Sequence, residues 1–373
     1  MHTKTVLRNV RLVSGLVLMA FVAAHLANLS LGLHSLATME SWRATLIGPW
    51  QSSTGRLLLG GAALVHALLG LYAMAARRSL SMSRTDWVQL VLGVCTPPLL
   101  ISHVLMTAVA SELASDYEPG YGLVLAIYWS IAPAYAFLQL FAVVFVWVHA
   151  ALGLYSWLVL KPVWRRIGGV VLPVLFGVPV AALLGFAQSG KEVVDKLAAE
   201  PEWRTAILEN AARIDGVRVQ LDALQSNVLL AYGCLALLAI GVFVARLLRD
   251  RMARVQVDYD GGLVAQGRRG LSILELSRMN GIPHADVCSG RGRCGTCRVH
   301  VEAGAANLSP PNEIEGPALA RVHAKEGDRL ACQAQVLGPG VRVTRLLPAF
   351  ADASAARRPE EWGAEGPAAE AVP

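Results

Sequence analysis

Four of the six cysteines fall in a polar, glycine-rich stretch near the C-terminal end, Cys288, Cys294 and Cys297 in one loop and Cys332 further on. The spacing is C-x5-C-x2-C followed by one distant thiol. Four thiolates are what a [2Fe–2S] cluster requires. The intervening Ser289, Gly290, Arg291, Gly292, Arg293, Gly295 and Thr296 let the backbone wrap closely and aim N–H groups at the sulfurs, which tunes a cluster's potential. Structural zinc is the competing reading, but its usual signature is two C-x2-C pairs, whereas here three ligands share one loop and one is remote. Disulfides are disfavoured in a domain that faces a reducing cytosol. Cys95 and Cys234 lie in apolar runs and read as small hydrophobes.

Of nine histidines, four lie one apiece in the first four apolar runs: His25, His66, His103 and His149. A lone histidine on an apolar helix is most often packed against a hydroxyl or carbonyl. Four of them change the reading, because ionisable residues in membrane runs are costly and mark function. At 1.5 Å rise per residue, His25 and His103 sit roughly 21–22 Å from the cytoplasmic helix ends, and His66 and His149 roughly 15–16 Å from theirs. Two level pairs result, and facing imidazoles from different helices are the arrangement for bis-histidine haem ligation. The expectation is two b-type haems, an inner one on His66 and His149 and an outer one on His25 and His103. Gly15, Gly60, Gly61, Gly70 and Gly153 either leave room for a flat macrocycle or serve helix contacts. Arg11, Ser14, Arg43, Arg56 and Arg77 are propionate partners or simple interfacial anchors. Transition-metal transport through a histidine lane is the alternative, but it wants carboxylates in the runs and none is embedded there.

These residues need a membrane bundle and a folded polar domain to hold them. The chain of 373 residues is 54% hydrophobic and only 16% charged, against roughly 25% charged in soluble proteins. That excludes disordered, collagen-like and disulfide-scaffold classes. Six runs, at 11–32, 56–76, 88–110, 123–160, 167–188 and 227–248, approach the ~20 residues that cross a bilayer. Both ends then lie on one face, which also receives Lys4, Arg8 and Arg11, then Arg77, Arg78 and Arg84, then Lys161, Arg165 and Arg166, and finally Arg246, Arg249, Arg251 and Arg254. That face is cytoplasmic, and the +6 charge serves orientation rather than nucleic-acid binding. The first run is too long for a signal-peptide core and reads as a retained helix. The stretch 189–227 reads as an amphipathic outer helix. After Arg254 come strands at 255–259, 298–302, 329–336 and 341–346 and helices at 272–280 and around 313–323. The predicted class is an α-helical membrane bundle of six transmembrane helices over 1–253, an α+β domain over 254–348, and a disordered tail over 349–373.

The loop CSGRGRCGTC and the later RLACQ make residues 254–347 resemble an adrenodoxin-like [2Fe–2S] ferredoxin, which implies a β-grasp fold. Such ferredoxins usually carry acidic residues near the cluster, whereas this loop carries Arg291, Arg293 and Arg298. The departure implies an anionic partner surface or docking on the chain's own membrane domain. SGLVLMAFVAAH and RLLLGGAALVHALLGLYAMAARR are similar to the haem-carrying anchors of succinate dehydrogenases and fumarate reductases, whose dihaem members draw ligands from four helices. With QLVLGVCTPPLLISHVL, FVWVHAALGLYSWLVLKPVWRR and VTRLLPAF, the order of six spans and then a ferredoxin resembles the N-terminal sensory portion of bacterial class III adenylate cyclases. That resemblance implies either a cyclase domain following in a longer chain, with a homodimer partner, or a stand-alone relative. The expected function is a cytochrome b of the bacterial inner membrane fused to a cytoplasmic ferredoxin, passing single electrons between cluster and haems and to or from quinone. Its other partners are membrane lipid and an unknown donor or acceptor. A redox- or quinone-sensing anchor of a cyclase is the alternative.

Overall fold

The structure, a computed structural model, describes residues 3–114, 116–249 and 254–356. Helix α1 (Thr3–Ser30) leads through a 3-10 turn to α2 (Leu36–Leu46), and α3 (Gly48–Gln51) precedes α4 (Ser53–Ala75) and α5 (Arg84–Val104). Serine N-caps start three of them: Ser35, Ser52 and Ser83 accept from the amides of Thr38, Gly55 and Asp86 and satisfy one orphan donor each. A π-helical segment, Leu105–Val109, and α6 (Ala110–Leu113) extend α5 outward, and α7 (Tyr121–Ala126) runs into a second π-helical segment, Ile127–Ile131. α8 (Ala134–Leu158), α9 (Trp164–Ala199), α10 (Pro201–Ala212) and α11 (Arg218–Arg249) complete the helical part. α5 packs along α8, and α1 along α4 and α9.

Among the described residues, six stretches are long and apolar enough to cross a membrane: Thr5–Leu33, Ser53–Ala75, Arg84–Leu113, Ala134–Leu158, Trp164–Ala199 and Pro201–Arg249. Leu57, Phe176 and Leu237 are 78%, 75% and 70% exposed, which suits lipid and not water. The expected fourth run, 123–160, divides in two. Ala132, ahead of Pro133, leaves the helical region at φ −140 and ψ 71, as a residue before proline tends to. Nor is 189–227 one outer helix: it is the end of α9, then α10, then the start of α11. Prolines inside spans free carbonyls that lipid cannot satisfy. Neighbours take two of them: Tyr232 Oη donates to Val94 O, freed by Pro98, at 2.7 Å. Trp147 Nε1 donates to Leu175 O, freed by Pro179, at 2.6 Å.

The polar domain is a five-stranded mixed sheet in the order β2-β1-β5-β3-β4. β1 (Arg254–Tyr259) alternates, burying Val255, Val257 and Tyr259, and pairs antiparallel with β2 (Val264–Arg268) and parallel with β5 (Val341–Arg345). β3 (Arg298–Ala303) lies antiparallel between β5 and β4 (Asp328–Leu330). α12 (Ile273–Met279), started by a capping box of Ser272 and Glu275, buries Ile273, Leu274 and Leu276 against the sheet. α13 (Glu315–Arg321) contributes the fully buried Glu315, whose carboxylate accepts from Arg329 at 2.8 and 2.9 Å and from the Leu330 amide at 2.8 Å. This α+β architecture matches the expected class. The predicted strand at 329–336 shortens to Asp328–Leu330, because Gln333 and Ala334 turn back onto the Leu330 carbonyl and present Cys332. A four-residue helix, α14 (Ala353–Ala356), follows; the rest of the expected tail, from 357 onward, lies outside the described residues.

Candidate redox sites

The loop between α12 and β3 folds as the glycines require. Gly292 and Gly295 take φ of 65 and 73, a region where side chains are strained, and a Cβ on either would lie 2.5 Å from Ile314 or 2.8 Å from Val322. The loop brings Cys288, Cys294 and Cys297 inside, with Cys332 half-buried beside them. The thiols neighbour one another in two couples, Cys288 with Cys294 and Cys297 with Cys332. Among the described residues no three of His, Cys, Asp and Glu converge on one ion position. A single zinc needs four ligands converging on one point, whereas two couples match two irons with two thiolates each, so the residues fit a [2Fe–2S] cluster. Donors face the sulfurs: the Arg293 amide to Cys288 and the Thr296 amide to Cys294, both at 3.5 Å, and Gln333 Nε2 to Cys332 at 3.4 Å. The Cys294 thiol and then the backbone N–H groups of Arg293, Cys294 and Arg291 hold Cys288 below the usual thiol range, against its burial. The neighbouring thiols and burial push Cys294 and Cys297 up.

In the bundle, α4 and α8 bring His66 and His149 together with ring centroids 6.1 Å apart, and α1 and α5 bring His25 and His103 to 6.0 Å. Two imidazoles sharing a metal between them, each bonded at about 2 Å, have centroids about 6 Å apart. In the inner pair, His66 Nδ1 donates to Arg11 O at 3.0 Å and His149 Nδ1 to Gln89 O at 2.9 Å. In the outer pair, His103 Nδ1 is 3.2 Å from Tyr128 Oη, while His25 Nδ1 is buried with no partner among the described residues. Such bonds to Nδ1 fix the tautomer and leave Nε2 to a metal.

Glycines pack against the inner rings, and a cleft adjoins the outer pair. A Cβ on Gly15 would lie 2.9 Å from the His66 ring and one on Gly93 2.7 Å from the His149 ring. The outer pair borders a narrow apolar cleft walled by Met39, Tyr121, Tyr128, Gln139 and Phe186. Each pair presents the two facing imidazoles that a bis-histidine haem would need. Gly60, Gly61 and Gly70 face open space and Gly153 faces Gln89, so of the expected glycines only Gly15 touches a histidine. Gly93 and Gln89 carry no mark in the sequence, because only the packing of α5 on α8 gives them a role.

The cluster loop docks on the end of the bundle where α1 and α5 begin. Arg291 Nη2 donates to Asp86 Oδ1 at 2.7 Å and to Gln89 Oε1 at 2.9 Å, and Arg8 Nη1 donates to Arg291 O at 3.5 Å. Val159 and Leu160, after α8, pack against Cys288 and Cys294. Burial, opposed by Asp86, lowers the Arg77 guanidinium. Burial first and then repulsion from Arg8 and Arg291 bring Arg293 down to about 10. Such a cation-rich seam suits anionic groups such as propionates and thiolate-bound iron. Of the other expected propionate partners, Arg43 pairs with Glu40 at 2.6 Å and Arg56 pairs with Glu112.

Residues 259–337 match the family described as 2Fe-2S iron-sulfur cluster binding domain. Among curated proteins, the chain is similar to a subunit of the Na(+)-translocating NADH-quinone reductase of Pseudoalteromonas atlantica, 30% identical over 103 residues, covering 27% of this chain and 24% of that protein. It is likewise similar to the corresponding reductase subunit of Yersinia pestis, 33% identical over 87 residues, covering 23% of this chain and 20% of that protein. The chain thus spans about a quarter or less of the length of these relatives. No solved structure matches it. Sheet, thiol couples and family match together make the C-terminal part a [2Fe–2S] ferredoxin domain, joined to a multi-pass membrane bundle.

Proposed function

We propose that this chain is a one-electron carrier of a bacterial inner membrane. Cys288, Cys294, Cys297 and Cys332 hold the [2Fe–2S] cluster, His66 and His149 an inner b-type haem, and His25 and His103 an outer one, with quinone as the membrane-soluble donor or acceptor. The observation that carries this reading is the pair of imidazole couples at 6.1 and 6.0 Å, stacked above a docked ferredoxin loop. When bound, these groups supply iron that changes charge by one electron at a time. The chain's own residues do the rest. Carbonyls of Arg11 and Gln89 orient the inner rings, Tyr128 orients His103, and apolar walls keep water from the outer pair. The basic residues at the ferredoxin end of the helices favour the cytoplasm for that end.

The test is quantification of pyridine haem, non-haem iron and zinc on one preparation of the full chain. The expected result is two haems and two non-haem irons per chain without zinc. Protein that stays free of haem when expressed with ample haem supply ends the membrane half of the reading, and stoichiometric zinc ends the cluster half.

A further inference from the structure

Arg291 links the cluster loop to both inner histidine supports. Its side chain donates to Gln89, the residue whose backbone carbonyl holds His149. Its own carbonyl accepts from Arg8, one helical turn before Arg11, whose carbonyl holds His66. A carboxylate only 7% exposed, Asp86, completes the anchor. Around this point the contacts are continuous. Ser83 Oγ lies 3.3 Å from Ser289 Oγ, Arg278 donates to Ser81 O at 3.3 Å, and Arg268 donates to Leu247 O and Arg78 O at 3.1 and 3.3 Å. Val159, Leu160 and Trp164 cover the sulfur side. Contacts from the same chain thus cover the face that carries Cys288 and Cys294.

We propose that the thiolate-bearing face of the ferredoxin domain is reserved for its own membrane bundle, and that Arg291 is the positioning residue that seats it over the His66–His149 level. The partner of this surface is the cytoplasmic end of α1 and α5. The inference rests on the cofactor reading for its purpose but not for its geometry. Breaking a buried ion pair leaves an uncompensated charge, so Arg291→Glu, which sets two carboxylates against each other, releases the loop.

The experiment is hydrogen exchange on the full chain in lipid nanodiscs, combined with EPR of the cluster after cryoreduction of the oxidised protein, which traps reduced clusters beside ferric haem. Arg291→Glu is expected to speed amide exchange in 81–89 and 287–293 together, on the order of tenfold. It also removes the broadening that a nearby haem spin imposes on the cluster signal, with both cofactors retained. Gln89→Leu leaves the cluster loop unaltered and tests the same contact if Arg291→Glu fails to assemble; it is expected to weaken the broadening. Unchanged exchange and unchanged broadening in the variants overturn the proposal. If the wild-type protein lacks haem or cluster while Arg291→Glu still deprotects the two segments together, the cofactor reading falls and the docking stands.

Discussion

The inner and outer histidine pairs share one spacing and differ in everything around it. Both inner rings are held by backbone carbonyls on neighbouring helices, Arg11 O and Gln89 O, and both face a glycine across the helix contact. Backbone supports cannot rotate away, so this level is fixed by the helices themselves. The outer pair is held through a side chain, the Tyr128 hydroxyl, and His25 Nδ1 has no partner among the described residues. Two π-helical segments adjoin it, one immediately after His103 and one carrying Tyr128, as such segments often do at functional sites. The lesson is a difference in support: backbone carbonyls fix the level beside the docked cluster, while the level beside an apolar cleft rests on a side chain.

The sharpest way to break this comparison is to delete a ligand. His149→Ala is expected to remove the inner haem and spare the outer, seen as half the wild-type pyridine haemochrome; loss of both haems shows that the pairs are not independent. Next in size is Gly93→Ala. Its new methyl overlaps the His149 ring, and overpacking of this kind costs about 1–3 kcal/mol. Inner-haem occupancy or potential should shift, while the corresponding outer values stay put; an unaffected inner haem removes Gly93 from the site. The smallest expected effect is Tyr128→Phe. Loss of one hydrogen bond, worth about 0.5–1.5 kcal/mol, corresponds to roughly 20–60 mV at a one-electron centre. Redox titration should find that change in the outer haem alone, and an equal change in both removes the contrast between the levels.

Much of this is legible in sequence, for identifiable reasons. The four cysteines are legible because three ligands of one loop must be near neighbours in the chain. The pairing of His66 with His149 and of His25 with His103 follows from depth along straight helices, a quantity that residue counting supplies. Lateral packing is what counting cannot supply. Gly93 and Gln89 matter only because α5 lies against α8, and Asp86 reads as an ordinary helix-start carboxylate until Arg291 arrives from the other domain. The break at Ala132 is marked by Pro133, but the unbroken hydrophobicity of 123–160 conceals it. Strand β2, with the sequence VAQGR, is half polar and sits at the sheet edge, so it lacks the alternation that exposes β1.

Arg249 belongs to the last membrane helix and Arg254 opens the first strand. They are five positions apart in the chain, so covalent geometry alone keeps them within about 18 Å of each other. A ferredoxin so tethered is no shuttle: released from its seat, it remains at an effective concentration in the millimolar range beside the bundle and returns without searching. Any soluble protein that exchanges electrons with it must therefore travel to the membrane and compete with that return, which makes recruitment to the lipid surface, rather than bulk affinity, the quantity that governs traffic.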